Sequence, residues 1–189
     1  MTLGRRRFAS LALPLLGAAC SSPDPVYYTV ATRTGPSFPS GPKIVELKDI
    51  GLASYLDRRE VVRSSQGYKL DVMSNDWWGE PLGGMLGRVL VVELAQRLPN
   101  STVYSQSGAI TADPNATVAV NLQRLDADKV GALILLAQVA VEFNRPRHQA
   151  ARTFTISKPL PTQDIPGLVA AISDALGELA DGIAALVQP

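Results

Sequence analysis

Asp76-Trp77-Trp78-Gly79-Glu80-Pro81-Leu82, continued by Gly83-Gly84-Met85-Leu86-Gly87-Arg88-Val89-Leu90-Val91-Val92-Glu93-Leu94-Ala95-Gln96-Arg97-Leu98, decides how the chain is read. From Leu82 the apolar residues recur at helical spacing (Leu82, Met85, Leu86, Val89, Leu90). They then follow an i+4 ridge through Leu94 to Leu98, so the stretch predicts a central helix with one broad buried face. Asp76 is its expected N-cap, the Trp pair leads into the first turn, and Glu80 suits the positive end of the dipole. Pro81 fits only near a helix start, and Pro99-Asn100 end the helix. Each of Gly83, Gly84 and Gly87 weakens a helix interior by roughly 1 kcal/mol relative to Ala. Close backbone packing or a loose first turn would account for them. Adjacent side chains on a helix point about 100° apart, so one Trp is expected in the core and the other outside, free to meet a partner.

On the N-terminal side, Tyr68 to Met73, Glu60 to Arg63, Lys43 to Asp49 and Val26 to Ala31 read as strands, with Gln66-Gly67 as a turn and Thr34 to Pro42 as a loop. On the C-terminal side, Thr102 to Gln106 is a short strand. Thr117 to Leu125 alternates Val118, Val120 and Leu122 against Asn121 and Gln123, a half-exposed strand. Val130 to Phe143 reads as a strand buried on both faces. Arg145-Pro146 is a turn, and Arg152 to Ser157 one more strand. Asp164 is the expected cap of a last helix that sets Leu168, Ile172, Ala175, Leu176, Leu179, Ile183 and Leu186 on one stripe. Two amphipathic helices among hairpin-linked strands predict a single-domain α+β fold, a largely antiparallel sheet with both helices packed on it.

Residues 1–19 read as a lipoprotein signal peptide: Arg5-Arg6-Arg7 is a charged n-region, Phe8 to Leu16 a short apolar run, and Gly17-Ala18-Ala19 a small-residue cleavage site. Arg5-Arg6-Arg7-Phe8 fits a twin-arginine core as well as an ordinary basic n-region. Cys20, the single cysteine of the 189 residues, follows at once. Leu16-Gly17-Ala18-Ala19-Cys20 resembles a bacterial lipobox, with Leu one place earlier than usual; the resemblance implies that Cys20 is acylated and that residues 20–25 form the tether of a domain running over 26–189. Ser21-Ser22, where an inner-membrane retention signal would place Asp, imply by the same resemblance the outer membrane, periplasmic face. Without the signal the chain carries 15 basic and 17 acidic residues, a formal charge of −2. No basic patch interleaved with aromatics points to nucleic acid.

Chemistry is bounded by counting. His148 is the one histidine, and a Ser-His-Asp arrangement would have to use it from what reads as a turn. No Gly-x-Ser-x-Gly elbow is present. With one His and one Cys, metal sites of the His/Cys type are excluded. The protein is read as no enzyme, with no cofactor implied.

Leu52-Ala53-Ser54-Tyr55-Leu56-Asp57-Arg58-Arg59-Glu60-Val61-Val62-Arg63 resembles the Tyr-Leu-Asp-Arg segment of the ABC-transport auxiliary lipoproteins, the PqiC-like family, with Ala53 where Pro is usual. Asp76-Trp77-Trp78-Gly79-Glu80-Pro81-Leu82 resembles that family's Trp-x-Glu-Pro helix start, with Asp76 in place of Arg and an extra Trp. The resemblance implies a non-enzymatic outer-membrane lipoprotein of a transport system for lipids or other hydrophobic molecules. Its partners would be a periplasmic MCE-domain protein and that protein's ABC permease and ATPase. It nominates Tyr55, Leu56, Asp57, Arg58, Trp77, Trp78 and Glu80 for partner binding, Cys20 for lipid attachment, and allows a homo-oligomeric ring without demanding one. A structural assembly or pilot lipoprotein for an outer-membrane pore or the lipopolysaccharide-assembly machine is the alternative.

Overall fold

The structure, a computed structural model, describes residues 24–110 and 112–188; residues 1–19, read above as an export signal, and Cys20 lie outside them. In chain order the elements are β1 (Val26–Tyr28), β2 (Ile44–Leu47), β3 (Gly51–Leu52), β4 (Glu60–Ser64), β5 (Asp71–Trp78), α1 (Leu82–Arg97), β6 (Thr102–Ser105), β7 (Ala116–Ala127), β8 (Ala132–Asn144), β9 (Arg147–Pro159) and α2 (Ile165–Leu186). β7 is the spine. One edge pairs along its length with β8, antiparallel from Ala116 opposite Phe143 to Ala127 opposite Leu133. Its other edge takes three short parallel partners in series, β2 at Ala116, β3 at Asn121 and β4 at Ala127. The sheet therefore forks. β6 continues beyond β2, while β5 and then β1 continue beyond β4. The long ladders, β7 with β8 and β8 with β9, are antiparallel and the short ones mostly parallel, so the α+β expectation holds with a mixed sheet.

Alternation sets the layers. Val118, Val120 and Leu122 of β7 are buried, as are Leu133, Leu135, Ala137, Val139 and Val141 of β8, and all join one core with both helices. The other face stays open: Asn121, Gln138 and Thr153 stand in register there and are exposed. The expectation that 130–143 is buried on both faces is therefore corrected. Among the described residues helices cover one face only, and Ile134 and Leu136 on the other are half-buried. α2 begins as the sequence predicts. The Asp164 carboxylate takes the Thr162 hydroxyl and the Gly167 amide, the latter at 2.9 Å, and these hold it below the usual carboxylate range.

Four local readings near the central helix change. Asp76 is no N-cap: it lies in β5 and accepts the Tyr28 hydroxyl at 2.9 Å. Pro81 occupies the cap position with no side-chain cap, and Glu80 lies outside the helix, bonded to Arg88 two turns on (3.2 Å to Nε). The strand expected from Tyr68 starts instead at Asp71, because Gly67 and Tyr68 both take positive φ (66° and 65°), the backbone of a tight hairpin turn. The glycines of α1 do not serve a close crossing. A β-carbon at Gly83 or Gly87 would meet Ile50 at ordinary contact distance, 3.4 and 3.6 Å, and at Gly84 nothing within 4 Å. They leave open a groove of about 420 Å3 whose walls include Lys48 and Ile50.

Residues 29–38, which follow β1 without strand structure, are clipped onto the helices by side chains. The Ala31 amide donates to Ser173 Oγ at 3.1 Å and the Arg33 amide to Glu93 Oε1 at 2.7 Å. Arg97, only 1% exposed, donates Nε to Asp181 (2.6 Å), Nη1 to the carbonyls of Arg33 and Glu93 (3.0 and 3.1 Å) and Nη2 to the carbonyl of Gly177 (3.0 Å). Gly177 is required there, because a β-carbon would stand 2.8 Å from Arg33 Cβ. Glu93 Oε2 is buried without a hydrogen-bond partner among the described residues.

Burial pushes the Glu93 carboxyl up to about 6 against the pull of the Arg33 amide and Arg97. A folded-state value above the unfolded one favours the protonated native state, so stability held through Glu93 is complete below pH 4.5 and is lost as pH rises through 6. The loss is on the order of 2 kcal/mol. Glu93→Gln is expected to remove this pH dependence, read as the urea midpoint between pH 4.5 and 7. Midpoints that move equally in both proteins would take Glu93 out of the explanation.

Candidate functional site

The two nominated motifs lie eighteen or more residues apart in sequence and meet because β4 pairs with β5. Glu60 stands opposite Trp77, and the Trp78 amide donates to the Arg59 carbonyl at 2.7 Å. The Gly79 amide in turn donates to the Tyr28 carbonyl at 2.8 Å, tying β1 in beside them. The result is a cleft of about 390 Å3 between the segment after β3 and the start of α1, with Asp57, Arg58, Trp77 and Glu80 among its walls and Trp78 and Leu82 at its base. Four of the nominated residues thus present side chains to one surface. The other three hold it in place.

Leu56 is 2% exposed and belongs to the core. Tyr55 donates its hydroxyl to Asp126 Oδ2 at 2.7 Å; burial and that carboxylate push the phenol up to about 12. Asp126 is fully buried, and it also takes Ser65 Oγ at 2.7 Å and Arg124 Nε at 2.9 Å. A buried carboxylate needs such partners, and together they fix the Tyr-Leu-Asp-Arg segment onto the end of β7. Asp57 and Arg58 are left exposed. Asp57 does not pair with Arg58 or Arg59: no such ion pair forms among the described residues.

Trp78 is buried and Trp77 is not. One in and one out was expected from a helical phase; the physical cause is strand alternation, since both lie in β5. Trp78 thus belongs to the core, beneath the cleft that Trp77 borders. Trp77 packs edge-on against Tyr27 with ring centres 5.9 Å apart, carries the Arg59 guanidinium 5.0 Å above its ring, and donates Nε1 to the Ser74 carbonyl at 2.9 Å. Sequence reading missed Tyr27 and Arg59. Tyr27 was signalled only by the expected Val26 strand, whose parallel pairing with β5 the pattern does not reveal, and Arg59 only by its place in the quoted Leu52–Arg63 segment. Glu80 and Arg88 form a half-exposed ion pair at the helix end of the cleft, where solvent screening leaves little stabilisation.

Among the described residues no group of three or more His, Cys, Asp or Glu side chains is placed to hold a metal ion, and no helix is long and apolar enough to cross a membrane. The architecture defines an α+β domain that displays a shaped amphipathic cleft on a rigid sheet edge. The chain belongs to the family of ABC-type transport auxiliary lipoprotein components, whose family model matches residues 28–184. In fold it is similar to the crystal structure of an uncharacterized protein, with a TM-score of 0.73 and 17% identity over 86% of this chain and 98% of that one. It is similar also to a Xanthomonas campestris protein of the DUF330 family, with a TM-score of 0.68 and 17% identity over 86% and 95%. No curated protein matches the sequence.

Proposed function

We propose that this protein is a non-enzymatic lipoprotein of the periplasmic face of the outer membrane, held by an acylated Cys20. There it docks the MCE-domain component of an ABC-type system that moves lipids or other hydrophobic molecules between membranes, and so supports envelope integrity. The observation that carries the reading is the family match over residues 28–184, preceded by residues 1–19, which read as an export signal, and by Cys20 directly after them. The protein contact is the helix end of the cleft: Asp57, Arg58 and Glu80 supply charges in fixed positions, with Tyr55, Leu56 and Trp78 holding the backbone that displays them. Asp57 also borders the glycine-floored groove along α1, so a partner segment laid there meets both.

The test is a pull-down of the lipidated protein from detergent-solubilised envelopes, with co-purifying proteins identified by mass spectrometry. An MCE-domain protein and its permease are the expected catch, lost on Asp57→Arg. Recovery of a β-barrel, a secretin or a lipopolysaccharide-assembly component in their place would overturn the reading in favour of a pilot or assembly lipoprotein.

A further inference from the structure

The β1 end of the cleft has a different chemistry from the helix end. Tyr27 is 63% exposed and Val26 52% exposed at the start of the described chain. Tyr27 rests on Trp77, and Arg59 covers the Trp77 ring from above. Exposed aromatic rings with polar tips, flanked by a guanidinium, partition into the headgroup layer of a bilayer, where the ring meets the glycerol region and the cation meets phosphate.

Position makes this more than a matter of composition. Tyr27 follows Cys20 by seven positions. That span cannot exceed about 25 Å even fully extended. With an acyl chain on Cys20, the Tyr27–Trp77 corner is confined within that distance of the lipid surface. A contact too weak to bind from solution is then populated, because tethering raises the effective concentration to about the millimolar range.

Charge argues for the headgroup layer as a whole rather than for a strongly anionic lipid. Arg58 and Arg59 are offset by Asp57 and Glu60, and Glu80 is already engaged by Arg88. Asp24 lies nearby on the tether side.

We infer that Val26, Tyr27, Trp77 and Arg59 form a second, reversible membrane contact that seats the domain on the phospholipid surface to which Cys20 tethers it, with the helix end of the cleft turned toward the partner protein. The inference rests on the proposed lipidation of Cys20 and goes beyond it by fixing which face meets the membrane.

The chain has two tryptophans, one buried and one in the contact, so fluorescence reports it directly. Full-length lipidated protein is reconstituted into phosphatidylethanolamine–phosphatidylglycerol vesicles containing phosphatidylcholine brominated near the top of its acyl chains. The wild type is expected to float with the vesicles and to lose part of its emission to the bromolipid, a component absent from Trp77→Phe. Trp78→Phe is expected to raise the quenched fraction; should it fail to fold, the difference between wild type and Trp77→Phe still isolates Trp77. Flotation without a bromolipid-quenched component, with Trp77 open to aqueous acrylamide, would overturn the contact and leave the anchor standing. Flotation unchanged in Cys20→Ala would instead overturn the anchor reading.

Discussion

Arg97→Ala is expected to lower the melting temperature by about 10 °C, the consequence of roughly 3–5 kcal/mol lost when one partner of a buried ionic network is removed. Four donated hydrogen bonds vanish together. The carbonyls of Arg33 and Gly177 lose the guanidinium that satisfies them, and Asp181 loses its partner. The Glu93 carboxylate then keeps the Arg33 amide and the Arg33 charge but loses the Arg97 charge that offsets part of its burial. A double-mutant cycle separates these effects. If the uncompensated Glu93 charge is a large part of the penalty, Arg97→Met with Glu93→Gln is expected to be more stable than Arg97→Met alone. Arg97→Lys is expected to recover little, since an ammonium cannot reach carbonyls on three different segments in the fork geometry that the guanidinium supplies. A melting temperature within a degree or two of wild type in Arg97→Ala would show that residues 29–38 are held by their apolar contacts, chiefly the buried Val30.

This network also shows where sequence stops being legible. The apolar ridge of α1 is read correctly, because Leu82, Met85, Leu86, Val89, Leu90, Leu94 and Leu98 are all buried. Glu93 and Arg97, four apart on the same helix, look like a solvent-facing i,i+4 ion pair. They are interior because residues 29–38 and α2 cover them, and nothing local in the helix announces a strap that arrives from about 60 residues upstream. The last helix and its Asp164 cap are legible because both signals are local: a 3.6-residue stripe and a carboxylate three residues before the amide it caps.

The cleft is legible in its parts and not in its assembly. Each motif could be picked out, yet their meeting depends on the antiparallel register that sets Glu60 against Trp77, and the membrane corner depends on the parallel register that sets Tyr27 against Trp77. Long-range pairings of this kind are fixed by packing of the whole sheet. The helix-capping signature at Asp76 misled for a related reason. A carboxylate ahead of an apolar run marks a helix start only when the intervening residues are free to leave the sheet, and here Trp77 and Trp78 are both held by ladder partners.

Trp78→Ala is expected to cost about 3–5 kcal/mol, the range for truncating a large buried aromatic, while Trp77→Ala costs about 1–2 kcal/mol, as a half-exposed side chain that gives up one edge-on ring contact, one guanidinium and the Nε1 hydrogen bond to Ser74. The two positions are adjacent, of identical chemistry, and consecutive in one strand, so the comparison isolates burial from everything else. Trp78 is 6% exposed and belongs to the same core as Leu82 and Leu56; removing it takes away the base beneath the Tyr-Leu-Asp-Arg segment and the first turn of α1 at once. The measurement is the urea midpoint of each variant at constant slope, followed by partner capture for any variant that remains folded. A large loss of stability in Trp77→Ala with little in Trp78→Ala would reverse the inward and outward assignment of β5. Its register against β4 and β1 would then be shifted by one residue, since a one-residue slip exchanges the two faces of a strand. Should both variants stay stable and Trp78→Ala alone abolish capture, Trp78 would be a contact after all, and the cleft would have to open on binding to expose it.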